Sequence, residues 1–213
     1  MARPRAEDYD DKRDAILDMS GKLFAEMGYD GASMNQIAVA CGVSKALLYH
    51  YYDNKEALLF DIIERHLEAL VGAVRTAWEA TSDPIERVVA ISTALLEAYR
   101  DADAEHKVQI NDLKRLPNGR QEEVKQLERK LVSLFADALV AANPALGNGN
   151  PLLKPVTMSL FGMLNWHYLW FRPQGQISRQ DYAALATRLV IGGSQNLTID
   201  DVQAMPSFSL DEA

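Results

Sequence analysis

The chain has 213 residues, with 22 Lys/Arg against 30 Asp/Glu for a formal net charge of −8, and it is 48% hydrophobic and 24% charged. That is enough chain to bury a core, and the balance excludes a small disulfide-stapled fold, wholesale disorder and low-complexity classes. One cysteine closes no intramolecular disulfide, the polar start has no secretory-signal pattern, and no apolar run approaches the roughly 18 residues of a membrane span, so a soluble cytoplasmic protein is expected.

Strand signals are absent, and the reading is all-helical. Ile16, Ser20, Leu23, Phe24 and Met27 recur at helical spacing and stop at Gly28, which predicts an amphipathic helix over residues 11–27 and a turn over 29–32. Ser33 with Gln36 has the reciprocal capping-box pattern and opens a short helix ending near Cys41. Gly42 permits a tight turn, and Ser44 caps another short helix reaching Tyr51. Asp53 with Glu56 caps a longer helix in which Leu59, Ile62, Ile63, Leu67, Leu70, Val74 and Trp78 keep the period. Asp83-Pro84-Ile85-Glu86 combines an N-cap, a first-turn proline and an acid, starting a helix that runs to about residue 100. Helices over 104–116 and 121–142 follow, separated by Pro117-Asn118-Gly119, and then a Gly/Asn/Pro linker over 143–150. Asn150-Pro151 opens a helix to about residue 171, and Ser178 with Asp181 caps a last one to about residue 192. The tail from Asp200 is acidic and expected to be mobile.

Short helices in succession with a glycine at the second turn have the layout of a helix-turn-helix, whose second motif helix enters the major groove. Ile37, Ala38, Val43 and Leu48 suit the packing of the two motif helices, while Lys45, Ala46, Tyr49 and His50 fall on the opposite face of the second. A cation, a small residue, a phenol and an imidazole fit groove and phosphate contacts; a solvated surface fits them equally well at this stage. The net charge argues mildly against DNA, because residues 1–56 carry seven Lys/Arg against ten Asp/Glu and any DNA face must be a local patch.

The run Ser33-Met34-x-x-Ile37-Ala38-x-x-Cys41-Gly42-Val43-Ser44-Lys45-Ala46-Leu47-Leu48-Tyr49-His50-Tyr51-Tyr52-x-x-Lys55-Glu56-x-Leu58-Leu59, with Leu23-Phe24-Ala25-Glu26-Met27-Gly28-Tyr29 upstream, closely resembles the DNA-binding signature of the TetR/AcrR family of bacterial transcriptional regulators. The resemblance covers about residues 12–60. It implies that Ser33, Ser44, Tyr49, His50 and Lys55 hold phosphates and that Lys45, Ala46 and Leu47 sit nearest the base edges. Lys45 suits guanine and Leu47 a thymine methyl. The chain departs from the commoner pattern at Leu47, often a small hydroxyl or glycine-like residue, and at Cys41, commonly alanine, which is expected to pack as a small apolar side chain rather than act as a redox sensor. Arg3 and Arg5 are candidates for a basic arm or for plain solvated charge.

In the second half, residues 158–171 are apolar on all sides, so that helix must be buried twice. Five of the chain's seventeen aromatics (Phe161, Trp166, Tyr168, Trp170 and Phe171) fall there, enough for a subunit interface and a cavity wall together. The family resemblance implies dimerisation through the last two helices and a small-molecule effector bound among the helices after the DNA-binding part. Phe161-Gly162-Met163-Leu164-Asn165-Trp166, with Trp170-Phe171-Arg172-Pro173-x-Gly175, resembles the subgroup that senses CoA thioesters and represses fatty-acid, sterol-ring or aromatic-acid catabolism. Other members bind unconjugated hydrophobic compounds, so that alternative stays open. For an acyl-CoA or aryl-CoA, Trp78, Tyr99, Phe135, Met163, Trp166 and Trp170 are candidates for the apolar wall. Lys107, Lys114, Arg115 and Arg172 are candidates for the phosphates, and Asn165 needs a buried partner.

The resulting division is a helix-turn-helix domain over 1–56, a ligand-binding and dimerisation domain over 57–199, and a tail over 200–213. An enzyme is disfavoured, since there is no Gly-rich phosphate loop, zinc helix or nucleophile elbow, and none of His50, His66, His106 and His167 has Glu three residues before it. No cofactor or metal is expected. His66 and His106 are expected to be exposed and His167 interior.

Overall fold

The computed structural model describes residues 3–100 and 102–204, with side chains from residue 9 onward, and among these the regular structure is entirely helical. In chain order the helices are α1 (Arg3–Met27), α2 (Met34–Ala40), α3 (Lys45–Tyr51), α4 (Lys55–Glu79), α5 (Pro84–Ala98), α6 (Asp103–Asp112), α7 (Asn118–Ala142), α8 (Leu153–Asn165), α9 (His167–Trp170), α10 (Arg179–Ser194) and α11 (Ile199–Gln203). Two compact units result, Met1–Gly72 with Ala98–Lys130, and Ala73–Glu97 with Leu131–Ala213. Compactness thus divides the chain elsewhere than at residue 56, because α4 runs on without a break and α6 packs against α1.

In the first unit Ile16, Leu17 and Phe24 of α1 and Leu58, Leu59, Ile62 and Ile63 of α4 are fully buried, each large side chain contributing about 1.5–3 kcal/mol. Arg65 of α4 pairs with Asp14 at 3.1 Å and with Asp18, and Arg13 with Asp61 at 2.5 Å, so opposite charges tie α1 to α4. In the second unit α8 packs on α10, with Phe135 of α7 and Phe161 of α8 in ring contact at 4.7 Å.

Several boundaries differ from the expected ones for local reasons. Helix α1 begins at Arg3 rather than near residue 11, since no glycine or proline lies between Pro4 and residue 11, and a first-turn proline sacrifices no hydrogen bond. Arg3 and Arg5 lie on it, but their side chains fall outside the described residues. Asn54 rather than Asp53 caps α4, its Oδ1 accepting from the Ala57 N–H at 2.8 Å. Asp83 does cap α5, accepting from Ile85 and Glu86 at 2.9 and 2.8 Å.

The expected single helix to residue 171 is two. After Asn165 the ladder tightens, Leu169 N–H bonding Trp166 C=O at 3.2 Å, and the chain resumes as α9. The start of the expected tail is helical as well, because Thr198 and Asp201 form a capping box for α11; residues 205–213 lie outside the described ones.

Candidate nucleic-acid interface

Ser33 caps α2 through a complete capping box with Gln36, and Ser44 caps α3 by accepting from the Leu47 N–H at 3.1 Å. Between them Gly42 adopts φ +65°, and Val43 N–H bonds Ala38 C=O at 3.0 Å, which reverses the chain in two residues. Ile37, Ala38 and Leu48 are buried where α2 packs on α3. The opposite face of α3 is open: Lys45, Ala46, Tyr49 and His50 are exposed, and Leu47 is half-buried. The Lys45 ammonium lies 5.8 Å from the Tyr49 ring centre, a loose cation–π arrangement that keeps the charge on the outer face. Among the described residues the side chains of Lys45, Tyr49 and His50 have no hydrogen-bond partner, so their donors point to solvent or to a partner molecule.

Two expected phosphate contacts are otherwise engaged. The Lys55 ammonium donates to the carbonyls of Tyr29 and Ala32 at 2.6 and 2.9 Å and lies 4.1 Å from the Tyr29 ring centre. In the free chain it clamps the turn after α1. The Ser33 hydroxyl donates to Gln36 Oε1 at 2.7 Å and also accepts the Gln36 N–H, so its proton is spent inside the cap. Cys41 is half-buried with Sγ 4.0 Å from the Ile16 carbonyl oxygen, and burial pushes its thiol up, away from thiolate chemistry.

The eight expected effector contacts do not share one environment. Trp78 is half-buried with the Arg87 guanidinium 4.8 Å from its ring centre. Phe135 is a core residue against Phe161. The Met163 carbonyl accepts from the Tyr182 hydroxyl at 3.0 Å, Asn165 ends α8 half-buried, and Arg172 is exposed. Trp166 and Trp170 are 63% and 54% exposed, because the tightened turn between α8 and α9 rotates them outward and puts His167 inside. Tyr99 belongs to the first unit, its ring 4.4 Å from His106 and 6.1 Å from His66.

Both of those histidines are buried, contrary to expectation, and burial beside His106 and Arg65 drives the His66 imidazole down to about 3. Their burial was legible for His66, which stands four residues after Ile62 and four before Leu70 on the apolar stripe of α4. Of the four candidate phosphate-binding cations, Lys107 donates to the Ala25 carbonyl at 2.6 Å and Arg115 pairs with Asp30 at 2.5 Å; Lys114 and Arg172 are exposed. Sequence reasoning missed an open groove of about 600 Å³ between α5 and α10, lined by Ile85, Val89, Ala90, Ala94, Ala184 and Arg188 among others and by none of the eight.

Residues 81–194 match the family described as tetracyclin repressor-like, C-terminal domain, and residues 16–62 match the bacterial regulatory proteins of the tetR family. The chain belongs to the TetR family. It is a helix-turn-helix transcriptional regulator, and the all-helical architecture with an N-terminal DNA-binding motif stands as expected from the sequence. A TetR-family regulator from Bordetella parapertussis is 33% identical, with a TM-score of 0.79 over 87% of this chain and 96% of that one. AibR, solved with isovaleryl coenzyme A and operator DNA, is 26% identical with a TM-score of 0.72 over 84% of this chain and 97% of its own. The transcriptional repressor KstR2 of Mycolicibacterium smegmatis is 22% identical over 85% of this chain and 90% of its own. The transcriptional activator FasR of the same organism is 35% identical over 92 residues, which span only 40% of that protein. No helix among the described residues is long and apolar enough to cross a membrane.

Proposed function

We propose that this TetR-family regulator is a homodimeric repressor that occupies a two-fold symmetric operator and is released by a small hydrophobic effector, a CoA thioester of fatty-acid, sterol or aromatic-acid catabolism. The observation that carries the DNA half is the outer face of α3, where Lys45, Ala46, Tyr49 and His50 stand exposed and the side-chain donors of Lys45, Tyr49 and His50 are unspent among the described residues. In this reading Lys45 meets guanine and Leu47 a thymine methyl, with Ser44, Tyr49 and His50 on phosphates. Residues 1–56 read DNA, and residues 57–199 bind the effector and dimerise.

Dimerisation through α8 and α10 is supported by what those helices leave uncovered. Met158 on α8, Trp166 just past its end, and Leu185 and Leu189 on α10 are all exposed in the single chain, beside Leu169 and Trp170 of α9. A second copy placing the same face against this one by a two-fold axis covers them and sets the two α3 helices for inverted half-sites.

Similarity to AibR, solved with an acyl-CoA, supports the thioester, and similarity to the repressor KstR2 supports repression. To move the protein from mostly bound to mostly free, the effector must favour the DNA-incompetent state by roughly 5.5 kcal/mol. A second reading, an unconjugated hydrophobic effector, is favoured by the groove between α5 and α10, where Arg188 is the sole cation in an otherwise mostly apolar lining. Native mass spectrometry with isovaleryl-CoA, longer acyl-CoAs, aryl-CoAs and the free acids separates the two. The expected result is a dimer that retains a thioester and not its acid, with the same thioester displacing bound DNA; retention of free acids alone overturns the thioester reading.

A further inference from the structure

The N-terminal part of α1 carries an aromatic residue that the core does not need. Tyr9 is 41% exposed, yet its ring stacks on Tyr51 at the end of α3, with centroids 4.5 Å apart and planes inclined by 27°. It also meets His50 edge-on at 6.4 Å and 90°, while His50 meets Tyr51 edge-on at 5.8 Å and 78°. Three rings from two helices therefore close on one another at the C-terminal end of the proposed DNA-reading helix. Such stacked and edge-on contacts fix side-chain orientation as well as adding attraction. Tyr51 is half-buried and anchors the group; Tyr9 and His50 form its exposed rim. Neither the Tyr9 hydroxyl nor the His50 ring has a hydrogen-bond partner among the described residues. The match to the N-terminal family model spans residues 16–62, and Tyr9 lies before it.

We infer that the DNA face extends from α3 onto α1, with Tyr9 acting twice: it holds the His50 ring in place, and its own hydroxyl donates to a backbone phosphate beside the one His50 meets. This inference rests on the DNA-binding reading and adds a contact to it. A phenol suits that position, since neutral hydroxyl donors commonly fix a protein's register on the duplex without reading sequence. It also suits the acidic start of the chain. Asp10 and Asp11 follow Tyr9 directly and repel phosphate, so the contact there rests on the neutral hydroxyl and its rigid ring rather than on net charge.

The test uses the full chain and a duplex enriched from a random pool by the wild-type protein, with a scrambled duplex beside it. Tyr9→Phe keeps the rings and removes the hydroxyl. It is expected to weaken both duplexes alike, by about three- to ten-fold as for one lost hydrogen bond, with an unchanged salt slope because no cation is lost. Its melting temperature stays at the wild-type value. Tyr9→Leu also frees His50 and is expected to lose more, and His50→Ala is expected to cost less in the Tyr9→Leu background than in the wild type. Wild-type affinity in Tyr9→Phe on both duplexes overturns the phosphate contact, and full additivity of Tyr9→Leu with His50→Ala overturns the positioning role. If the wild-type chain enriches no duplex, the DNA-binding reading itself fails, an outcome distinct from either.

Discussion

Lys45 and Lys55 stand ten residues apart in the DNA-binding signature, where the family resemblance implies a base-edge contact for the first and a phosphate contact for the second, but their surroundings give them opposite work. Lys45 is exposed on the outer face of α3, whereas Lys55 is drawn inward by two carbonyl oxygens and the Tyr29 ring. Lys55→Met is therefore expected to remove charged hydrogen bonds from a half-buried turn. The cost is about 2 kcal/mol, several degrees of melting temperature, with the salt slope of DNA binding unchanged. Lys45→Ala should do the reverse, leaving the melting temperature near wild type while relaxing sequence preference, and Tyr49→Phe should weaken all sequences alike. Thermal melts beside binding titrations at several salt concentrations check each pair. The difference between the two lysines was not legible in the sequence, because a lysine's partner is decided by which carbonyls the fold leaves exposed near it. The buried imidazoles make a further residue-scale prediction. His66 resists protonation down to about pH 3 in the folded chain, while an unfolded histidine takes its proton near pH 6.5. The unfolded state then binds more protons in between, so this contribution is complete above about pH 6.5 and is lost as pH falls toward 3. His167, driven to about 4 chiefly by burial, adds in the same direction. Urea unfolding between pH 7 and 5 should show a declining midpoint that flattens in His66→Leu; an equal decline in the variant contradicts the assignment.

At the scale of elements, the sequence was informative where a hydrogen bond or a torsion angle is decided within four residues. Ser33 with Gln36, Ser178 with Asp181 and Asp83 before Pro84 cap the helices their patterns indicated, and Gly28 and Gly42 take positive φ where the chain turns. Gly42→Ala isolates one of these devices. A Cβ there meets nothing within 4 Å, so the expected cost of about 1–2 kcal/mol is purely the left-handed backbone, and melting of Gly42→Ala against Gly42→Asn measures it, asparagine being the milder change. Less legible was anything set by packing. The break after Asn165 falls inside a mostly apolar run, and Asn165 itself reads equally as an interior amide needing a partner or as a helix end, so the sequence does not mark where the ladder tightens to turn Trp166 and Trp170 outward and His167 in. Likewise the spread of Tyr99 and Phe135 over different surroundings reflects tertiary partners, which aromatic identity alone does not specify.

At the scale of the whole molecule, reading a two-fold symmetric operator requires two copies. Met158, Trp166, Leu185 and Leu189 expose apolar surface that a lone chain leaves wet, and Leu189→Glu is expected to place an unpaired charge in the shared face, giving monomers by sedimentation and weak DNA binding with a folded spectrum. Retention of a dimer in that variant, with wild-type affinity, contradicts the assigned interface. The central claim is that α3 of a two-fold dimer reads DNA. Its most direct test is enrichment of duplexes from a random pool by the full chain, followed by sequencing. The expected result is inverted half-sites with centres about one helical turn apart, roughly 34 Å, and degraded preference at one position of each half-site in Lys45→Ala. No enrichment, or an enriched sequence that is identical for wild type and Lys45→Ala, contradicts it.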